Sequence, residues 1–350
     1  MAYLVQDTNF AGSNNAPRPR ARSQPGSAHA LRRILVCIDR SSFSEACVRH
    51  AVAIAKSLGG EITLLHVMQA FRDRSGREAT DVVEWEISRQ EASAYLERLV
   101  KEAAELLGRP VELRLEQGHP AERIGTVAIE LNADLTILGS QGERGPAAWN
   151  LGSTALQVLA AARGSVLIAR AAGRDTAIPK RILVPLDGSQ RAESVLPAAV
   201  RIASAHGAEL LLAFVVHEAA PSAILCTSDD LDVACDLARR LEISGTRYLH
   251  GLRDQLVREG ASARTVVLRS TDERRALLEL ALEEQSDLIV LSAHGSSCNP
   301  SVNTGSVTAT LLTHSAVPLL VLQDLRDSEV RDPERERSAP PLRACYPEES

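Results

Sequence analysis

Two tandem α/β domains are what this sequence predicts, each a doubly wound, five-stranded parallel sheet with helices on both faces. Three observations carry that expectation. First, the chain contains itself twice. Arg33-Ile34-Leu35-Val36-Cys37-Ile38-Asp39 answers to Arg181-Ile182-Leu183-Val184-Pro185-Leu186-Asp187 at an offset of 148, and Gly142…Gly152-Ser153 answers to Gly295…Gly305-Ser306 at an offset of 153. A repeat of that length is a duplicated domain rather than a solenoid unit. Second, 350 residues suit two domains. Third, short apolar runs alternate with helical patterns in both halves. Short runs that are apolar throughout fit strands covered on both faces, and strand–helix alternation fits parallel crossovers.

Taken in order, the N-terminal half places strands near 34–38, 62–67, 111–115, 134–138 and 166–169, with helices near 44–58, 84–107, 121–131 and 153–162. The C-terminal half places strands near 182–186, 209–216, 264–268, 287–291 and 318–322, with helices near 190–206, 228–258, 272–284 and 306–314. Both first helices run into a glycine, Gly59 and Gly207, as a left-handed C-cap requires. Pro185 lacks an N–H and sits uneasily in a strand unless the ladder is already broken there. Residues 1–30, rich in Pro, Ser, Ala, Asn and Arg without an apolar period, read as a disordered tail, and the charged, proline-rich 325–350 as a flexible one. Domains are expected over 31–172 and 178–324, joined by a linker at Ala171–Pro179.

Composition narrows the function. A net charge of −6 gives no reason to expect a nucleic-acid partner, and aromatics are too scarce for base-stacking platforms. The six cysteines form no C-x-x-C pair and no His cluster joins them, so no zinc site is expected. They read as reduced thiols of a cytoplasmic protein, with Cys37 a core filler. No apolar stretch reaches the about 18 residues of a membrane span, and no apolar signal core follows the N-terminal arginines.

The most informative motif is Gly139-x2-Gly142-x9-Gly152-Ser153. It follows the apolar run Leu135–Leu138 and opens a helix-like run. Glycine lets a backbone approach a phosphate with no Cβ in the way, and a helix start offers free N–H groups and a positive dipole end. The bland reading is a turn whose Ser153 caps the helix. The altered copy is Ser292-x2-Gly295-x9-Gly305-Ser306, where the Ser292 side chain narrows a phosphate's approach. Ligands of doubly wound sheets bind outside the carboxyl ends of the strands. Asp39 and Asp187 stand there, either facing a nucleotide's ribose or base, or capping the next turn. Of the scattered histidines, His294 lies inside the second loop and is placed to meet a phosphate. There is no G-x4-G-K-[ST], no G-x-G-x-x-G after the first strand and no nucleophile elbow, so no catalytic residue is assigned.

These residues resemble the universal stress protein family across nearly all of 32–323, as two tandem domains. The likeness rests on Ile34–Asp39, Leu64-Leu65-His66-Val67, Gly118-His119-Pro120, the Gly139…Ser153 loop, Ile182–Ser189, Asp287–Leu291 and Gly295…Ser306. The family's ATP-binding branch carries G-x2-G-x9-G-[ST]. The resemblance implies that Asp39 and Val67 face ribose and adenine while Gly139, Gly142, Gly152 and Ser153 wrap the phosphates of ATP, with Mg2+ as an optional companion. Asp187, Val215, Ser292, Gly295, Gly305 and Ser306 are the matching positions of a second site. Ser292 and the lack of a counterpart to Gly118-x-Pro120 depart from the pattern. The resemblance also implies pairing of the two domains through their last strands, Val166–Ala169 and Leu319–Leu322, and allows a homodimer. The expected function is an adenine-nucleotide-binding stress or signalling protein, a ligand-dependent switch with little or no hydrolysis. The alternative is a protein-interaction scaffold of the same fold that binds no nucleotide.

Overall fold

The computed structural model describes residues 31–68, 82–140, 151–162, 164–170, 178–218, 228–295 and 304–323. Both terminal tails, most of the linker and Gly142 lie outside them. The N-terminal half runs β1 (Arg33–Ile38), α1 (Ser42–Leu58), β2 (Glu61–Met68), α2 (Val82–Leu107), β3 (Glu112–Gln117), α3 (Pro120–Glu130), β4 (Leu135–Gly139), α4 (Ser153–Ala161) and β5 (Ser165–Ala169). The C-terminal half runs β6 (Arg181–Pro185), α5 (Gln190–Glu193), α6 (Leu196–His206), β7 (Glu209–His217), α7 (Ser228–Arg258), β8 (Ser262–Ser270), α8 (Glu273–Glu283), β9 (Leu288–Ser292), α9 (Ser306–His314) and β10 (Leu319–Leu322).

The strands form a single ten-stranded sheet in the order β3-β2-β1-β4-β5-β10-β9-β6-β7-β8. Each half is parallel throughout, and the halves meet antiparallel, with Leu319 opposite Ile168, Leu320 opposite Leu167 and Val321 opposite Val166. The pairing of last strands is therefore made within one chain. Two apolar layers cover the faces, and each draws residues from both halves. On one face α1 packs against α6. There Ser57 Oγ lies 3.0 Å from His206 Nε2, and Arg201 donates to the Leu58 carbonyl at 3.0 Å, capping the end of α1 with a cation. Across the seam the Arg170 guanidinium donates to the Leu312 carbonyl in the last turn of α9, and burial lowers its pKa to about 10.

An aspartate locks the first strand of each half. Asp134 Oδ2 accepts the N–H groups of Arg32 and Arg33 at 3.1 and 2.9 Å, and Asp287 Oδ2 accepts those of Lys180 and Arg181 at 2.9 and 3.0 Å. The outer strands differ from the inner ones. β3 and β8 are only partly buried and carry Glu112, Arg114, Arg264 and Arg269, whose charges oppose further strand addition.

One expected helix is corrected. The 190–206 segment is two helices, α5 and α6, broken at Ser194-Val195. Pro197 stands in the first turn of α6, and its missing N–H and its ring forbid continuation from the preceding turn. Pro185 causes no such break. Leu186 N–H donates to Ala213 of β7, so the alternating pattern turns Pro185 toward β9, whose ladder with β6 ends at Leu183. Both first helices end on left-handed glycines, Gly59 at φ 74° and Gly207 at φ 64°.

Candidate functional site

In each half the strand order reverses between the first strand and its neighbour β4 or β9, which makes the switch-point crevice of a doubly wound sheet. In the N-terminal half Ile38 is opposite His66, so Asp39 and Val67 stand one step beyond that ladder, and Gly139 ends β4 on the other side. The order of the C-terminal half repeats this. Pro185 is opposite Ala213, so Asp187 stands level with Val215, and Ser292 ends β9. The chain fold thus brings Asp39, Val67, Gly139, Gly152 and Ser153 to one edge, and Asp187, Val215, Ser292, Gly295, Gly305 and Ser306 to the matching edge.

The helix starts are alike. Gly152 and Gly305 are the N-caps of α4 and α9, with extended φ, ψ of −63°, 155° and −67°, 164°. Their own N–H groups are engaged, Gly152 with Ser140 O at 2.8 Å and Gly305 with Ala293 O at 2.7 Å. The first helical bonds are Leu156 N–H to Gly152 O and Ala309 N–H to Gly305 O. The N–H groups of Ser153, Thr154 and Ala155, and of Ser306, Val307 and Thr308, therefore have no place in the helix ladders. A glycine cap has no side chain to satisfy them.

The turns after the first strands differ. Asp39 Oδ1 accepts from Ser41 N–H at 3.1 Å, from Ser41 Oγ and from Ser44 Oγ at 2.9 Å, while Ser44 Oγ also accepts the Asp39 N–H at 3.0 Å. Ser44 is buried in the first turn of α1. Asp187 Oδ1 keeps the bonds from Ser189 N–H and Oγ, at 3.0 and 2.6 Å, but Ala192 stands where Ser44 does. A Cβ built on Gly295 would lie 2.4 Å from Asp187 Oδ2, so this carboxylate rests against the glycine loop itself. The middle residue of each turn is left-handed, Arg40 at φ 67° and Gly188 at φ 81°.

The surroundings diverge as well. His66 Nδ1–H donates to the Ile38 carbonyl at 2.7 Å, tying β2 to the end of β1. Phe214 takes that place in the C-terminal half, packing edge-on to Tyr248 at 6.2 Å, with Gly245 giving α7 room to approach. Tyr248 Oη donates to Glu193 Oε1 at 2.8 Å; burial, then that bond and the charges of Glu193 and Asp187, push its pKa up. Tyr95, its counterpart on α2, is also raised by burial first, with Arg98 over its ring at 5.3 Å. Ser292 Oγ donates to the His294 carbonyl at 2.5 Å, and Thr308 Oγ1 donates to the Ser292 carbonyl at 3.0 Å. The Ser292 hydroxyl is thus spent on its own turn. His294 is buried. Burial also pushes the Cys37 and Cys47 thiols up, which keeps them protonated and unreactive. Asp272 N-caps α8 through the Arg274 N–H at 3.1 Å, in the position that Gly118-His119-Pro120 fills ahead of α3. No helix among the described residues is long and apolar enough to cross a membrane.

Ser44 and the two tyrosines were not picked out by motif. The signal for Ser44 was present all the same, because at the offset of 148 it falls on Ala192 beside an otherwise matching Asp-x-Ser turn.

Fold and crevice define a tandem doubly wound α/β protein with a switch-point cleft in each half. The chain belongs to the universal stress protein family, whose sequence profile matches residues 30–170 and again 179–323. A universal stress protein of Mycolicibacterium smegmatis is 26% identical over 310 residues, which cover 83% of this chain and 96% of that one. A universal stress protein of Methanocaldococcus jannaschii is 28% identical over 141 residues, 40% of this chain and 82% of its own. Among solved structures, a universal stress protein from Archaeoglobus fulgidus superposes with a TM-score of 0.59 at 19% identity, covering 86% of this chain and 100% of that chain, a likeness of fold.

Proposed function

We propose that this protein binds an adenine nucleotide, ATP by preference, in the N-terminal crevice, and works as a ligand-dependent switch in a stress or signalling response. The observation that carries the reading is the start of α4. It is capped by a glycine, it keeps three N–H groups outside the helix ladder, and it opens at the switch point beside Asp39 and Val67. Gly139 and Gly152 admit phosphates without a Cβ in the way, and the exposed Ser153 adds a hydroxyl. Asp39, held by Ser41 and Ser44, presents a fixed carboxylate to a ribose, and half-buried Val67 offers an apolar contact for a base. Gly142 completes this set by its place in the motif. Mg2+ would enter with the phosphates, since among the described residues no three His, Cys, Asp or Glu side chains gather to hold a metal.

Among the described residues, no group of the crevice is placed to act as a general base on a water. His66 is committed to the Ile38 carbonyl and Asp39 to two hydroxyls. Binding without appreciable turnover is the function proposed, in a cytoplasmic protein. Thermal unfolding with and without Mg-ATP tests it. Nucleotide at a hundred times its Kd should add about 2.7 kcal/mol to stability, and mass spectrometry should find adenine nucleotide released from freshly purified protein. An unchanged melt at millimolar ATP with no nucleotide released would remove the reading.

A further inference from the structure

The two oxygens of the Asp39 carboxylate are treated unequally. Oδ1 takes three donors, Ser41 N–H at 3.1 Å, Ser41 Oγ, and Ser44 Oγ at 2.9 Å. No donor among the described residues reaches Oδ2. A carboxylate oxygen has about two lone-pair sites, so Oδ1 is saturated and Oδ2 is the oxygen left for a ligand. The arrangement does not serve to cap the helix. Ser41 is the N-cap residue of α1, yet its hydroxyl makes no capping bond, while Ser189 at the same place in the other half accepts the Ala192 N–H at 3.1 Å. Ser44, in the first turn of α1 and 1% exposed, both donates to Oδ1 and accepts the Asp39 N–H at 3.0 Å. Between the two serines and the aspartate, Arg40 is held left-handed at φ 67°, a conformation that a non-glycine adopts at a cost. Two hydroxyls and one strained residue hold a single side chain in one orientation. A carboxylate fixed in this way loses no rotamer freedom when a ligand arrives. Ser44 itself is too buried to touch that ligand, so its effect on binding passes through Asp39.

We propose that Ser44, with Ser41, is a positioning residue for sugar recognition. By saturating Asp39 Oδ1 the two serines present Oδ2 as the acceptor for a ribose hydroxyl, and the crevice thereby selects ribonucleotides over their deoxy forms. The inference rests on the nucleotide reading of the N-terminal half and extends it to the choice of sugar.

Titration calorimetry of the full chain with ATP and with dideoxy-ATP, which lacks both ribose hydroxyls, tests this at fixed Mg2+. Every chain carries Ser306→Asp, which sets a carboxylate at the start of α9 and keeps the C-terminal crevice from contributing. That parent should prefer ATP by about tenfold. Asp39→Ala should bring the preference close to one. Ser44→Ala should lower it at least about threefold, and Ser44→Ala added to Asp39→Ala should lower it no further, since Ser44 has no other route to the sugar. Melting of the ligand-free chains shows that each is folded, and Ser41→Ala, which removes another Oδ1 bond, carries the same expectation if Ser44→Ala is not. A serine that only supports the turn would weaken both ligands alike. An undiminished preference in the serine variants would therefore overturn the proposal and leave the nucleotide reading intact. Equal affinity of the parent for ATP and dideoxy-ATP would do the same. A folded parent that binds no ATP would overturn both.

Discussion

Asp39 and Asp187 occupy the same place in the same motif, and their carboxylates do different things. One is tied by three bonds into the turn and first helix of its own domain. The other accepts from Ser189 N–H and Oγ and rests against Gly295, in a loop more than a hundred residues away. Away from the crevices the halves agree closely. Asp134 and Asp287 clamp the same backbone pair, Gly59 and Gly207 end the same helix, and Gly152 and Gly305 cap the same helix start. The duplication has kept its framework and varied its clefts, at the cost of a few hydroxyls and one histidine.

The sharpest test of that shared framework is at the seam. Leu320→Ala removes a fully buried side chain opposite Leu167 and should cost about 2–5 kcal/mol in urea unfolding. Hydrogen exchange should quicken in both halves, because the apolar layers run through both. A change confined to the C-terminal half would show that the halves are energetically separate. Asp287→Ala leaves the backbone N–H groups of Lys180 and Arg181 without their acceptor and should cost about 2–3 kcal/mol. Asp134→Ala should cost less, since Asp134 is more exposed and water can replace it.

Gly295→Ala drives a methyl into Asp187 and should lower stability by about 1–3 kcal/mol. Gly305→Ala meets its nearest atom at 3.5 Å and should cost about 1 kcal/mol or less in the same thermal melts. Equal effects would mean that Asp187 does not rest on the loop. The smallest effect is expected at Arg40, a non-glycine at φ 67° where the other half has Gly188. Arg40→Gly should raise stability by up to about 1 kcal/mol. Its exposed 3.3 Å ion pair with Glu91 contributes little that would be lost.

Most of this fold was legible because its signals are local. Ile34–Ile38 and Ile182–Leu186 read as buried strands from five adjacent apolar positions, and Gly59 and Gly207 marked helix ends without any knowledge of the neighbours. The break between α5 and α6 was legible too, since Pro197 alone dictates it, but the apolar period around it masked the signal. The crevice was legible only in outline. Gly139, Gly152 and Asp39 are found by spacing along one chain segment. The approach of Asp187 to Gly295 depends on how β6 and β9 bring two distant turns together. The fates of the Ser292 hydroxyl and of buried His294 depend on which carbonyls and packing partners fold over them, and no spacing in the sequence encodes that.

The antiparallel seam between β5 and β10 has a geometric outcome for the two clefts. All strands of one half point one way and all strands of the other point back, so the two clefts open at opposite rims of a single slab. A partner docked on one rim would reach one cleft alone. Any influence of the other cleft would have to cross the slab itself, through Leu167 and Leu320 and the Arg170 contact to α9.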